Sequence, residues 1–508
     1  MPDRAWKAAA LLICATVLAG NAWFLWVRRT PPSYDDAWYL EVSFRLFHAL
    51  KKGLGAFAWE YAHSFRIKAP LISVLPLPLY ALFGPSERVA AWANQFCLIA
   101  SWRFIFLIGR RLYSEKAGWA AVIAAALLPI LYGLSRVFFV ECAEAAAVAA
   151  AQWSILSARP GKTSDAARLG VWLGLGLLIK SLFPLYLAGS FWLARKTLVP
   201  RAKLTLAIAA IIAGTWYAFN LVYVVGFGFS AGFGHLSHDY GAASAFSLPA
   251  LSAYFKAIVF SALSLPYCIV AAALLIWALG KKARPGEPAR FLIAWAALPF
   301  AVLAAGVNKE VRYLDPLLPA LAIALGACAA EFARTPGKTA ILALMLALPV
   351  SVFSAQTFGY PAAEPLAYNG PPSRFSGWDR SAVVEAVYAQ VRLQQPEVQT
   401  SAAVALEHSL FNANNLSSLA AERGYPLKFI NLGYAQGSLP AAIIRLKDKD
   451  ARYLVTVDGL SSRELPGFLN RVNGEMVAQI ERGGLGAKLL NTLVISPGIT
   501  AKVYSIRP

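Results

Sequence analysis

The sequence predicts a polytopic α-helical membrane protein that ends in a C-terminal extramembrane α/β domain, and three observations carry that prediction. The 508 residues are 58% hydrophobic and only 15% charged, with a mean hydropathy of +0.54, too apolar for a soluble protein. The apolar residues come in runs of about 20, the length that crosses a hydrocarbon core about 30 Å thick, rather than in stripes. Beyond residue 360 the texture changes to short, alternating strand-like and helical segments. The formal charge of +20 would suggest nucleic acid in a soluble domain; here lysine and arginine in cytoplasmic loops account for it, so membrane lipids are expected as partners and nucleic acid is not. The five cysteines, Cys14, Cys97, Cys142, Cys268 and Cys328, all fall in or beside apolar runs, which argues against a disulfide framework.

The first span is residues 8–27, "AAALLICATVLAGNAWFLWV". It is longer than a signal-peptide core and runs into Arg28-Arg29 instead of a small-residue cleavage site, so it reads as a retained helix with a cytoplasmic N-terminus. Further spans fall at 88–108, 117–135, 142–157, 204–225, 254–279, 290–307, 316–332 and 338–354. The stretch 169–193, "LGVWLGLGLLIKSLFPLYLAGSFWL", has basic residues on both flanks and is too short for two full spans. A short hairpin fits, its arms of about 12 residues rising about 18 Å to a tip at Lys180-Ser181. An intramembrane lysine is expensive and by default marks an anion site. The alternative, one tilted helix with a snorkelling lysine, would flip every later loop. With the hairpin counted there are about 11 membrane segments.

Basic residues such as Arg110, Arg111, Arg159, Lys162, Arg195 and Lys196 then share the cytoplasmic side, and the loops 28–87, 136–141, 226–253 and 308–315 and the tail lie outside. One outer loop breaks the rule. Residues 28–87 carry Arg28, Arg29, Arg45, Lys51, Lys52, Arg66 and Lys68. The tail opens with a linker, "YPAAEPLAYNGPPSRFSGW", and alternates "AAVAL", "LKFINLG", "RYLVTVDG" and "AKVYSIRP" with helical runs, which predicts a small α/β domain with a mostly parallel sheet. The division is thus 1–360, a transmembrane domain whose catalytic loop is 28–87, and 361–508, an extracytoplasmic α/β domain.

The outer loops bring carboxylates and cations together. The first offers Asp35, Asp36, Glu41 and Lys68; "SRVFFVECAEA" offers Arg136 and Glu141; the hairpin tip offers Lys180; "FGHLSHDYG" offers His235, His238 and Asp239; and "NKEVRYLDPLLPAL" offers Lys309, Arg312 and Tyr313. Such a set suits a reaction between an anionic, lipid-linked group and a hydroxyl or amine. Cations hold a phosphate by charge-assisted bonds and a carboxylate takes the proton of the nucleophile.

"SYDDAWYLEVSFRL", with Asp35, Asp36 and Tyr39, resembles the first-loop "DE/DD-x-x-Y" signature of the C-type (GT-C) glycosyltransferases, which use polyprenyl-phosphate sugars. It is most similar to the protein mannosyltransferase and aminoarabinose-lipid A transferase group. "FRIKAPLISVLPLPLYALFG", "LIGRRLYSEKAG", "SRVFFVECAEA", "GLGLLIKSLFP" and "KEVRYLDPLLPAL" resemble further family segments in the family's order, from about residue 5 to 355. The resemblance implies a GT-C-like fold in a bacterial inner membrane. It implies an inverting transfer of sugar from a polyprenyl-phosphate donor to a glycolipid, glycan or protein acceptor at the outer face. Asp35 matches the catalytic base and Glu141 the second acidic position; Lys68 matches a lysine on the lipid phosphate, with Arg136, Lys180, Lys309 and Arg312 as further phosphate contacts. Two departures stand out: "K-P-P" is Lys68-Ala69-Pro70 here, and "L-P" after "R-Y" is Asp315-Pro316.

Bland readings stand beside these. One of Asp35 and Asp36 suits a helix cap, Glu41 suits an i,i+4 surface pair with Arg45, and Arg312-Tyr313 suits an interfacial anchor. His235, His238 and Asp239 offer fewer ligands than a metal site needs, so no cofactor is called for, with a divalent metal left open. The rival from another class is a transporter or lipid flippase; it predicts internal repeats, which the sequence lacks.

Overall fold

The computed structural model describes residues 3–233, 246–281, 286–359, 370, 372, 377–394, 398–432, 437–460 and 467–508. They form two compact units. One comprises Met1–Val27, Tyr61–Leu75 and Ala91–Pro372; the other comprises Arg28–Glu60, Pro76–Ala90 and Ser373–Pro508, so it takes in much of the 28–87 loop together with the tail.

The first unit is helical. Among the described residues six helices are long and apolar enough to cross a membrane, and up to eight if each of two bent pairs is one span. Asp3–Val27, Glu87–Leu112, Ala202–Phe233 and Pro336–Phe358 cover the expected runs and extend past one or both of their ends, while Glu287–Ala305 starts before the run 290–307 and stops two residues short of its end. Two runs expected to be straight are broken. The run 117–135 is Glu115–Ala126 and Pro129–Ser135, bent by 63°, and the run 254–279 belongs to Leu248–Leu263 and Leu265–Leu279, bent by 96°. Proline explains both. Pro129 and Pro266 each open a new helix, where the missing N–H costs nothing. At the second break Ser264 turns to a left-handed φ of 71° and its hydroxyl accepts the Tyr267 N–H.

The hairpin is present, with longer arms than expected. The helix Thr163–Ile179 has 17 residues, about 25 Å, because the polar "TSDAAR" is helical too. Lys180 leaves the helix in an extended conformation, and the chain returns through Phe183–Leu187 and the helix Ala188–Leu198. The register against the helix Ala202–Phe233 shows that the chain has turned back. A Cβ on Gly170 would meet Thr205 O at 2.7 Å, and one on Gly174 would meet Ile212 Cβ at 2.6 Å, so the two helices run parallel and the segment between them must descend. At the base, Arg201 Nε donates to Gly161 O at 3.1 Å. Both flanks therefore sit together, as a hairpin requires and a single tilted helix does not.

In the second unit five strands, β1 (Thr400–Val404), β2 (Leu427–Asn431), β3 (Ala451–Asp458), β4 (Lys488–Ser496) and β5 (Ile499–Ser505), form a sheet in the order β2-β1-β3-β5-β4. The expected mostly parallel sheet is half so: β2, β1 and β3 are parallel, while β5 is antiparallel to both β3 and β4. The tight "SPGI" turn, with Gly498 at a φ of 75°, forces that hairpin. Alternate residues bury both faces. Ala402 and Val404 join the helices Arg380–Gln394 and Ala413–Glu422 through Val383, Val387 and Leu416, while Ala403 and Leu454 meet Ala442, Leu446 and Met476 opposite.

Candidate functional site

In the second unit the helix Tyr34–Lys52 carries the acidic signature. Ser33, extended at φ −133°, is its N-cap. Asp36 reaches back so that its Oδ1 accepts the Ser33 N–H at 2.6 Å and the Ala37 N–H at 2.9 Å, which occupies two donors a helix start leaves open. Asp36 is 5% exposed. Burial pushes its carboxyl up to about 7, helped by Glu87 and opposed by Arg28 and the two backbone N–H groups. Asp35, one residue earlier, is half-buried. The backbone beneath it is strained: Tyr34 has a φ of 45°, a region that bulky residues rarely occupy. It is held there from the tail, where Asn414 Nδ2 donates to Tyr34 O at 3.1 Å. Tyr39 points inward and is buried. Glu41 does pair with Arg45, at 3.0 Å, but the carboxylate is 2% exposed and Lys428 approaches it at 3.4 Å, so the expected surface pair is a buried carboxylate between two part-exposed cations.

In the first unit four residues from three distant segments meet. Lys180 Nζ lies 3.1 Å from Glu141 Oε1 and 4.4 Å from the centroid of the Tyr313 ring. Arg312 Nε is 3.6 Å from the same Glu141 oxygen and 3.1 Å from Glu310. Tyr186, on the returning arm, donates its hydroxyl to Tyr313 O at 2.8 Å and so ties the hairpin to the segment that carries Arg312. Two further carboxylates stand here that sequence reasoning missed. Glu144 Oε2 is also 3.1 Å from Lys180 Nζ, and Asp315 is fully buried nearby, within the electrostatic reach of Glu141, Glu144 and Lys180. The i,i+3 spacing of Glu141 and Glu144 was the available signal, since it puts both on one helical face.

Lys68 is half-buried, and its neighbour Ala69 packs with Leu178 and Trp216 in one buried cluster two residues short of the hairpin tip. Arg136 sits elsewhere. It is completely buried, with Nε on Asn21 Oδ1 at 2.7 Å and Nη2 on Thr357 Oγ1 at 2.6 Å, among the rings of Phe24, Tyr132 and Phe353. That environment makes it a clamp between the first and last long helices of the unit. Lys309 donates to Ala304 O at 2.5 Å and Gly306 O at 3.1 Å, capping a helix end. His235, His238 and Asp239 lie outside the described residues. Among the described residues no three His, Cys, Asp or Glu side chains are grouped to hold a metal ion.

The family model "Dolichyl-phosphate-mannose-protein mannosyltransferase" matches residues 68–223. No curated protein is similar enough in sequence to match the chain. Among solved structures, ArnT from Cupriavidus metallidurans bound to undecaprenyl phosphate is similar at a TM-score of 0.60 and 14% identity, over 98% of this chain and 98% of that one. The archaeal oligosaccharyltransferase AglB from Archaeoglobus fulgidus, in complex with an inhibitory peptide and a dolichol-phosphate, is similar at 0.56 and 14%, over 89% of this chain and 69% of that one. The fold implied by the ordered motifs therefore runs along nearly the whole chain.

Proposed function

We propose that this protein is an inverting glycosyltransferase that moves a sugar from a polyprenyl-phosphate donor to a hydroxyl or amine of a glycolipid, glycan or protein at the outer face of a bacterial inner membrane. The observation that carries the reading is the convergence of Glu141, Lys180, Arg312 and Tyr313 within a fold shared end to end with a protein solved bound to undecaprenyl phosphate. Half-buried cations beside the hairpin turn suit a lipid phosphate, because a low local dielectric strengthens each charge-assisted bond.

In this reading Asp35 accepts the proton of the acceptor group. The freed lone pair attacks the anomeric carbon from the face opposite the phosphate, the carbon–oxygen bond to phosphate breaks, and the polyprenyl phosphate leaves with both electrons of that bond. Lys180, Arg312 and Lys68 neutralise the charge that grows on the leaving oxygen. Asp36 holds the helix start that aims Asp35, and Arg136 keeps the bundle closed without touching the donor. In membranes supplied with a polyprenyl-phosphate sugar, Asp35→Asn is expected to lower transfer about 10²- to 10⁴-fold, the range for loss of a general base. Transfer at the wild-type rate would remove Asp35 from this role.

A further inference from the structure

Lys180 is shared. Its ammonium stands 3.1 Å from Glu141 and 3.1 Å from Glu144, with side-chain exposures of 1% and 0% for the two acids. The two are not equivalent. Glu141 also has Arg312 at 3.6 Å, whereas Lys180 is the one cation in ion-pair contact with Glu144 among the described residues. The other Glu144 oxygen, Oε1, has no hydrogen-bond partner among the described residues. The charged and titratable groups facing Glu144 are Glu141 on its own helix, Lys180 and Tyr186 on the hairpin, and Arg312 and Asp315 on the segment packed across them. Three buried carboxylates thus meet two cations.

A phosphate that takes hold of Lys180 adds another negative charge to this set and withdraws the ammonium from Glu144. A buried carboxylate left beside like charges and without a cation is strongly disfavoured, and taking up a proton is the usual relief. Resting on the reading above, we propose that Glu144 is a positioning residue that holds Lys180 and hands it to the donor phosphate by accepting one proton from solvent. The proton returns when the lipid phosphate leaves, so donor binding is coupled to proton uptake. The proton that Asp35 takes from the acceptor is a separate one.

The probe is undecaprenyl methyl phosphate, a phosphodiester with no titrating group near neutrality, and the protein is the full chain in detergent micelles. Titration calorimetry in buffers of different ionisation enthalpy should report uptake of about one proton, and affinity should fall up to about tenfold per pH unit as pH rises through the range of uptake. Glu144→Gln, which needs no proton to release Lys180, should bind with a flat pH profile. Wild-type binding without uptake, or uptake in Glu144→Gln equal to wild type, overturns the proposal. Lys180→Gln combined with Glu144→Gln leaves neither charge unpaired and tests the underlying reading separately. Loss of binding there keeps the phosphate at Lys180; binding at wild-type strength removes it from Lys180 and overturns this inference with it.

Discussion

Asp36, Glu407 and Glu422 are carboxyls of the second unit that burial holds far above their ordinary range, at about 7, about 8 and about 7, with Glu87 adding to the shift of the first and third. The folded unit therefore keeps protons that an unfolded chain releases near pH 4. The stability these groups contribute is fully present below that pH and is lost as pH rises through about 7 to 8. The unfolding temperature of the second unit should accordingly fall between pH 5 and pH 8, and Glu407→Gln should flatten part of that slope in a thermal scan. A slope unchanged by Glu407→Gln would show that its proton affinity is ordinary. Asp36→Ala should cost about 1 to 2 kcal/mol, because it strips the N-terminal donors of their acceptor. Lys180→Met should cost more, about 3 to 5 kcal/mol, by leaving buried carboxylates unpaired; adding Glu144→Gln should recover much of that loss. At this scale the sequence was most legible where a charge interrupts an apolar run, as Lys180 does. It was least legible at Arg136, because nothing in "SRVFFVE" says that Asn21 and Thr357 supply its partners.

Among the elements, the hairpin was readable because charge parity and length constrained it together. Its arm length was not, since a polar first turn can be helical without being apolar. The two bends escaped for a related reason: hydropathy measures how greasy a run is and ignores where Pro129 and Pro266 restart the backbone. The edge strand β4 escaped because its register shifts twice, between Leu489 and Asn491 and between Val494 and Ser496, and bulges erase the period-2 alternation by which strands are found. The hairpin makes a topological prediction. Cysteines introduced one at a time at Lys162 and Arg201, in a background cleared of the native thiols, should react with a membrane-impermeant reagent from the same side of sealed vesicles. Opposite sidedness would restore the single tilted helix.

For the whole molecule, the change of texture after residue 360 announced a separate α/β body, and the sheet is there. What the sequence hid is that Arg28–Glu60 belongs to the same compact unit. The physical cause is long-range packing: the apolar stripe of Tyr34–Lys52 has the helix Ala413–Glu422 as its partner, and no local pattern names a partner that far away. Asn414 and Tyr34, which share a hydrogen bond, are 380 positions apart. At about 5 to 20 residues per second, a ribosome needs roughly 20 to 75 seconds to make the interval between them. For that time the strained turn beneath Asp35 lacks the hydrogen bond from Asn414. The nascent chain thus carries its acidic signature in an unset form until translation is nearly finished, which gives the tail the character of a built-in timer.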